Sequence, residues 1–320
     1  MNTRKTEKTT NSRLFNKGIL PVAVATAMFG AGVASAAVDV LVDTTVSTDN
    51  ATDFAIQSTN ILTIKGGATT TGYLSSFNGT IDGSMNATQG QGDGTGNIVI
   101  AGNLTMSGNI GSTNTTGNFT LNNGNTLVLA DNLTTFNTAN MSLNGNTVLN
   151  LGNATSGYNR ISGNALTMQA NITMASNSTI NIGNGTTITG DIVGASSGQG
   201  TVNIVGNFTS GGNFGDIADS AVDGTSKLEQ INISKGNTFT LSAGHNASST
   251  RMNINGTVTA QGSANITSAV TMGADSVLNL TNTGTGGGST AAEVAGAIDG
   301  YAGATGTLNV NGTWSTAGVI

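Results

Sequence analysis

After residue 36 the chain is built from short β-prone runs separated by glycine, and this pattern leaves few folds open. Runs such as NIVI, TVLNL, STINI, TVNIV and TLNV mix β-branched and other apolar residues with polar ones, as expected of half-buried strands. Asn-Gly, Gly-Asn and Gly-Gly pairs between them favour tight turns. The only proline is Pro21, so every later residue can donate its backbone N–H to a sheet. The sequence therefore predicts an all-β chain with many short strands.

A longer unit recurs close to three times. The segments GNIVIAGNL (96–104), GTVNIVGNF (200–208) and GTLNVNGTW (306–314) align without gaps, at offsets of 104 and 106 residues. Flanking glycines stay in register on both sides of this alignment. We therefore interpret residues 37–320 as about three repeats of roughly 105 residues.

One aligned position of this repeat holds Leu104, Phe208 and Trp314. All three residues are large and apolar, although only two are aromatic. An exposed aromatic side chain that binds a sugar or a partner is the alternative interpretation. Because leucine occupies the same position, the alignment favours a position in the core.

Internal repetition, short strands and few charges together favour a β-solenoid, in which successive coils stack on one another. We expect coils of about 18–25 residues, with one side chain in two pointing into a narrow core. A row of β-sandwich domains is the alternative, since about 105 residues is also the size of one such domain. Only 4% of the residues are aromatic and Trp314 is the only tryptophan. This composition does not favour three sandwich domains, because each such core usually contains buried aromatic residues.

Residues 1–36 have the features of a secretory signal peptide. Five basic residues precede the apolar stretch 19–33, and ASA (34–36) supplies small residues for cleavage after Ala36. The alternative is a membrane anchor, but the apolar stretch is shorter than the ~20 residues of a spanning helix. The chain has no cysteine, so an exported form would depend on backbone pairing and packing for stability.

Charge argues against nucleic acid and anionic lipid as partners. Removal of residues 1–36 takes away five of the 10 basic residues and one of the 16 acidic residues, which leaves a net charge of −10. Such a chain is repelled by phosphate backbones and anionic headgroups. The charge is compatible with a solvated layer at a cell surface.

Candidate sites for chemistry are few. The acidic segment 216–229 contains Asp216, Asp219, Asp223 and Glu229, which we interpret as a solvated loop with a weak calcium site as the alternative. It lacks the repeated spacing of calcium-binding β-rolls. His245 is the only histidine, which excludes a multi-histidine metal site and favours a loop histidine beside Gly244. We therefore predict no catalytic residues, no resident metal and no cofactor.

The order of the motifs resembles the passenger region of rickettsial outer-membrane protein B and related surface cell antigens. A VLNL strand (277–280), a GAID turn (296–299) and a GTLNVNG strand (306–312) follow one another, and GNFG (212–215) precedes GNTFTL (236–241). The resemblance covers most of residues 60–320. It implies a right-handed parallel β-helix secreted by a type V system and held at the outer membrane by a C-terminal barrel.

The same resemblance implies an adhesin or coat protein of the bacterial surface, with a role in virulence. Its partners would be a host-cell surface protein or glycan, or neighbouring copies in a surface layer, with segments 216–229 and 281–290 as candidate contacts. The alternatives are a polysaccharide-degrading enzyme on a β-helix scaffold and a purely structural layer protein. Gly318 aligns with Gly212 and Ile320 with Phe214, so we expect the sequence to stop in mid-unit, before further repeats and the barrel.

Overall fold

The structure is a computed structural model that describes most of the chain after residue 37. The described residues are 38–40, 44–47, 53–56, 60–65, 75–83, 94–152, 157–160, 164–215, 225–282, 292–301, 303, 305–316 and 320. All of them belong to one compact unit, Ser35–Ile320. The predicted signal peptide and its cleavage point after Ala36 lie outside the described residues, and so do Asp216, Asp219 and Asp223.

Within these residues the chain forms 28 short strands. The first nine are β1 (Val38–Val40), β2 (Thr44–Ser47), β3 (Phe54–Ile56), β4 (Ile61–Lys65), β5 (Ser75–Phe77), β6 (Ile81–Asp82), β7 (Thr95–Ile100), β8 (Leu104–Met106) and β9 (Thr116–Leu121). The next ten are β10 (Thr126–Leu129), β11 (Thr135–Leu143), β12 (Val148–Asn150), β13 (Leu166–Met174), β14 (Thr179–Ile182), β15 (Thr186–Thr189), β16 (Ile192–Gly194), β17 (Thr201–Ile204), β18 (Phe208–Gly211) and β19 (Leu228–Ile233). The last nine are β20 (Thr238–Leu241), β21 (Asn246–Ile254), β22 (Thr257–Gln261), β23 (Asn265–Met272), β24 (Val277–Asn282), β25 (Ala292–Val294), β26 (Ile298–Gly300), β27 (Thr307–Gly312) and β28 (Trp314–Thr316).

The strands form two long sheets and one short sheet, and strands that are neighbours in a sheet are not consecutive in the chain. One sheet has 12 strands, in the order β28-β25-β23-β21-β19-β17-β14-β12-β10-β8-β5, with β26 also paired to β23. Another has 13 strands, in the order β2-β4-β7-β9-β11-β13-β15-β18-β20-β22-β24-β27, with β16 also paired to β13. The third has the order β1-β3-β6. This alternation between sheets confirms the predicted parallel β-solenoid.

The alternative of a row of sandwich domains is wrong. Sandwich domains are built from antiparallel strands joined by hairpins and Greek-key connections. Here the paired strands run parallel, for example β12 with β14, β17 with β19 and β22 with β24. A parallel partner requires the chain to go once around before it returns, which is the geometry of a solenoid coil.

Each coil contributes one apolar segment to each of three faces, as the strand registers show. The stack on face 1 contains Leu62, Ile98, Phe119, Met141, Ile172, Ile192, Phe214, Ala247, Ile266 and Val294. The stack on face 2 contains Leu104, Leu127, Leu149, Ile180, Val202, Ile231, Met252, Val270 and Ile298. The stack on face 3 contains Phe54, Ile81, Ile110, Phe136, Met168 and Ile188, and farther along Phe208, Phe239, Val258, Leu278 and Leu308.

Four long strands bend from one face to the next and so join the faces into the two long sheets. In β13, the first half pairs with β15 on face 3 and the second half with β16 on face 1. The register shifts between Asn137 and Asn140 in β11 and between Ser248 and Arg251 in β21, where each strand turns the corner. The strands β11, β13, β21 and β23 are accordingly the longest, at eight or nine residues.

The core runs through the coils as a single cluster of apolar side chains. Alternate residues of most strands are buried, as in β13, where Leu166, Met168, Ala170, Ile172 and Met174 point inward. Apart from the half-buried Leu308, the apolar residues of the three stacks are buried. Since each coil buries its residues only against its neighbours, stability is distributed along the stack rather than held in one centre.

The three copies of the sequence repeat lie on three different faces. Ile98 of the first copy is on face 1, Val202 of the second is on face 2 and Leu308 of the third is on face 3. Corresponding residues of successive copies are therefore separated by four coils and one further face. The aligned position follows the same rule: Leu104 is buried on face 2, Phe208 is buried on face 3, and Trp314 is half-buried on face 1 beside β25.

Candidate interaction surfaces

A ladder of asparagine side chains runs along face 2 on the outer side of the strands. It contains Asn150, Asn181, Asn203, Asn232 and Asn253, and from Asn181 onward each Nδ2 donates a hydrogen bond to Oδ1 of the preceding member. The donor–acceptor distances are 2.7, 2.9, 2.8 and 2.8 Å, in chain order. The partners are 31, 22, 29 and 21 residues apart, so no fixed period in the sequence produces the ladder.

The ladder is neutral, and its first two members are buried. Asn150 and Asn181 are only 6% and 8% exposed. A buried amide without partners is costly, and stacking equivalent amides in parallel register lets each one donate and accept. Shorter ladders join Asn97, Asn118 and Asn140 on face 1, and Asn279 with Asn309 on face 3.

The sequence contains a signal of the face 2 ladder, but that signal does not specify the ladder. All five asparagines stand between two apolar residues of a strand-like run, as in TINI and VNI. The same arrangement in TLNV lies on face 3, however, so the motif alone does not assign the face.

Arg160 is the most deeply buried charged side chain among the described residues, at 7% exposure. Its guanidinium donates hydrogen bonds to the carbonyl oxygens of Leu129, Ala130, Asp131, Leu133 and Asn164. The donor–acceptor distances are 2.9–3.3 Å, except for the contact with Leu133, which is shorter. Burial lowers the pKa of this guanidinium, and the Asp131 carboxylate partly offsets the effect. The side chain thus stabilises the segment between β10 and β11 through hydrogen bonds to its backbone carbonyl oxygens. Nothing in the sequence pattern indicates this role.

A shallow cleft of about 540 Å³ lies at the corner between faces 3 and 1, where β11 and β13 bend. Its lining is uncharged and includes Thr138, Ala139, Gln169, Asn171 and Thr189. Thr138 already donates to a backbone carbonyl oxygen, and Asn171 Oδ1 accepts the backbone N–H of Asp191. This cleft offers polar contacts for an extended partner but no group for acid–base chemistry.

The proposed calcium ligands Asp216, Asp219 and Asp223 lie outside the described residues, as does most of segment 281–290. Glu229, at the end of the same acidic segment, lies 3.9 Å from the guanidinium of Arg251, and both side chains are about half exposed. Among the residues that the structure describes, no group of three or more histidine, cysteine, aspartate or glutamate side chains could hold a metal ion.

His245 lies beside Ser210, and nothing in the sequence connects these two residues. Its Nδ1 is 3.4 Å from Oγ of Ser210, which is long for a hydrogen bond involving a hydroxyl group. The Ser210 hydroxyl is buried and already accepts the backbone N–H of Ser242 at 3.0 Å. The geometry is therefore that of a packing contact rather than of an activated nucleophile, which would be accessible and held by its base.

Within the described part of the chain, no helix has the length and apolar character needed to cross a membrane. Comparison with known proteins gives no match, whether with family models, with curated proteins or with solved structures.

Proposed function

We propose that this chain is the passenger part of a bacterial cell-surface protein of the autotransporter kind, and that it works as an adhesin or surface coat. The observation that carries the proposal is an outer surface with few charges and with repeated rows of asparagine side chains. Asparagine ladders run along faces of the solenoid, and the corner cleft is lined by threonine, alanine and amide side chains. Such a surface presents many weak, repeated contacts instead of one deep pocket. The signal-peptide pattern and the resemblance to rickettsial surface antigens support the same proposal.

The alternative of a polysaccharide-degrading enzyme requires a close pair of carboxylates, or a carboxylate and a base in one groove. In three strand registers an acidic residue lies opposite an uncharged one. Asp82 lies opposite Ala55, Glu293 opposite Ser315 and Asp299 opposite Thr271. At these three positions the register does not bring two carboxylates onto directly opposite residues.

A bead-binding experiment tests the adhesin role directly. Beads coated with residues 37–320 are incubated with host cells, in parallel with uncoated beads and beads carrying an unrelated acidic protein. We expect the solenoid-coated beads alone to bind. Equal binding by all three would overturn the adhesin role, and ordered layers of purified protein in electron micrographs would then favour the coat role.

Surface location is tested by labelling intact cells with an antibody. We expect an antibody against the solenoid to label intact bacteria that express the protein. A cytoplasmic signal, seen only after lysis, would contradict the proposal whatever the purified protein binds.

A further inference from the structure

We propose that a cleft at the far end of the face 2 ladder is a binding site for neutral carbohydrate. The inference rests on the proposed surface role and adds to it the chemical class of the ligand. The cleft has a volume of about 290 Å³ and is lined by Ser234, Asn253, Asn255, Thr271, Gly273 and Tyr301, together with the last ladder contacts. This volume is near the lower end of the roughly 300–1,000 Å³ of small-ligand sites, which suits one or two sugar rings.

The ladder ends in this cleft with an acceptor that has no donor. Asn253 donates its Nδ2 to Asn232 at 2.8 Å, as each earlier member does to its predecessor. In the next coil, however, the residue in register with Asn253 is Thr271, so no amide follows to donate to Asn253 Oδ1. A head-to-tail string of amides is polarised, and this strengthens the acceptor at its end. The Thr271 hydroxyl and the Asn253 Oδ1 have no hydrogen-bond partner within the described residues.

Asn255 adds a second amide without a partner. Its side chain is exposed and makes no hydrogen bond with the described part of the chain, although its backbone N–H donates to Ile233 at 2.9 Å. The side chain lies against Gly273, where an added Cβ atom would stand 2.3 Å from Asn255 Oδ1. The glycine therefore makes room for this amide at the wall of the cleft.

Tyr301 supplies an aromatic surface at the same place. Its side chain is 70% exposed, while its backbone N–H donates to the carbonyl oxygen of Met272 at 2.8 Å. The residue is thus anchored through its backbone and leaves a large ring in solvent. A sugar has an apolar C–H face that packs on an aromatic ring, and hydroxyl groups that bind amides and hydroxyls at its edge.

The charges around the cleft favour a neutral ligand. None of its lining residues is charged. Lys235 and Asp275, which follow the lining residues Ser234 and Gly273 closely in sequence, pair with each other at 3.8 Å. Asp299 lies opposite Thr271 in the sheet and would repel sialylated or sulfated sugars. We therefore expect neutral hexoses or N-acetylhexosamines to bind and anionic sugars to bind less well.

The binding of one sugar to such an open site is expected to be weak, with a dissociation constant on the order of 1 mM. Affinity for a cell surface would then arise from many copies acting together. For this reason the test uses a method that detects weak binding by a single site.

The experiment is saturation-transfer NMR on the purified chain, with the methyl glycosides of glucose, galactose, mannose and N-acetylglucosamine as probes and sialic acid as the anionic probe. We expect at least one neutral probe to receive saturation, strongest at its ring C–H protons. Tyr301→Ala and Asn255→Ala are each expected to weaken binding at least fivefold, whereas Tyr301→Phe keeps the ring and most of the affinity. Asn311→Ala is the matched control, because Asn311 is also exposed but does not line the cleft.

Circular dichroism shows whether each variant keeps the fold, and Asn255→Ala carries the test if Tyr301→Ala does not fold. The absence of saturation in every neutral probe, or undiminished binding by both cleft variants, would overturn the site. Host-cell binding without sugar binding would reject this inference and leave the proposed adhesin role intact. Sugar binding by a protein found only inside the cell would support the carbohydrate site and reject the proposed surface role.

Discussion

Asn181 Nδ2 donates a hydrogen bond of 2.7 Å to Asn150 Oδ1, and both side chains are almost fully buried although they are 31 residues apart in the chain. Asn181 also accepts a hydrogen bond from Asn203 at 2.9 Å. A side chain with both contacts joins three successive coils. The face 2 ladder is therefore a cross-coil restraint as well as a surface feature.

Replacement of Asn181 by alanine is expected to destabilise the fold by about 1–3 kcal/mol, because Asn150 loses its partner at a buried position and Asn203 loses one at a partly buried position. Urea unfolding measures the effect. Asn118→Ala is the matched control, since Asn118 belongs to an exposed ladder and should cost less than about 1 kcal/mol. Equal losses for the two variants would show that burial does not strengthen the ladder.

Arg160→Met is expected to destabilise the fold by about 3 kcal/mol, because several backbone carbonyl oxygens lose their donor at a buried position. Arg160→Lys should lie in between, since an ammonium group cannot reach the same set of acceptors. Asp131→Asn is the control for charge alone and should have the smallest effect. If the Arg160→Met variant were as stable as the parent chain, the guanidinium contacts would not stabilise this segment.

The lowered pKa of Arg160 fixes the sign of its dependence on pH. The folded chain binds this proton less tightly than the unfolded chain, because burial disfavours the charged form. The resulting cost is constant near neutrality and is relieved only in strongly alkaline solution, as the pH rises through the lowered pKa. We therefore expect the stability difference between Arg160→Met and the parent chain to stay constant from about pH 6 to pH 8, as measured by urea unfolding.

Alanine substitutions at two glycines distinguish the free-energy cost of a close backbone contact from the cost of a positive φ in a turn. At Gly212 an added Cβ atom would lie 2.1 Å from the carbonyl oxygen of Gly190 in the preceding coil. At Gly236 the backbone has a φ of +80° but no atom lies within 4 Å of the added Cβ. We expect Gly212→Ala to cost at least about 3 kcal/mol and Gly236→Ala about 1 kcal/mol, measured by thermal unfolding. The reverse order would contradict the coil-to-coil contact.

Three phenylalanines pack together in the core near the middle of the stack. The ring centroids of Phe239 lie 6.1 Å from those of Phe208 and 5.3 Å from those of Phe214. Phe239→Ala is expected to cost about 3–5 kcal/mol, because it leaves a cavity between two coils. Phe239→Leu should cost about 1 kcal/mol, since it keeps most of the volume. A loss below about 1 kcal/mol for alanine would mean that neighbouring coils collapse to fill the space.

The amino-acid sequence by itself determined the kind of structure. Alternating β-branched residues, glycine-rich turns and the lack of proline after Pro21 leave parallel or antiparallel short strands as the only regular elements. The internal repeat and the scarcity of aromatic residues then favoured stacked coils over separate sandwich cores. These are local properties, or properties of composition, and they can be recognised without knowing which strand lies beside which.

Only the tertiary structure decided which residues meet. Coil length varies with the loops, so the partners in the asparagine ladder are separated by 21 to 31 residues and the sequence repeat advances by one face with each copy. Leu104, Phe208 and Trp314 share a sequence position and yet lie on three different faces. The same irregular spacing places Thr271, and not a sixth asparagine, after Asn253. Register in a parallel stack depends on the summed length of all the preceding coils. This summed length is a property of the whole fold.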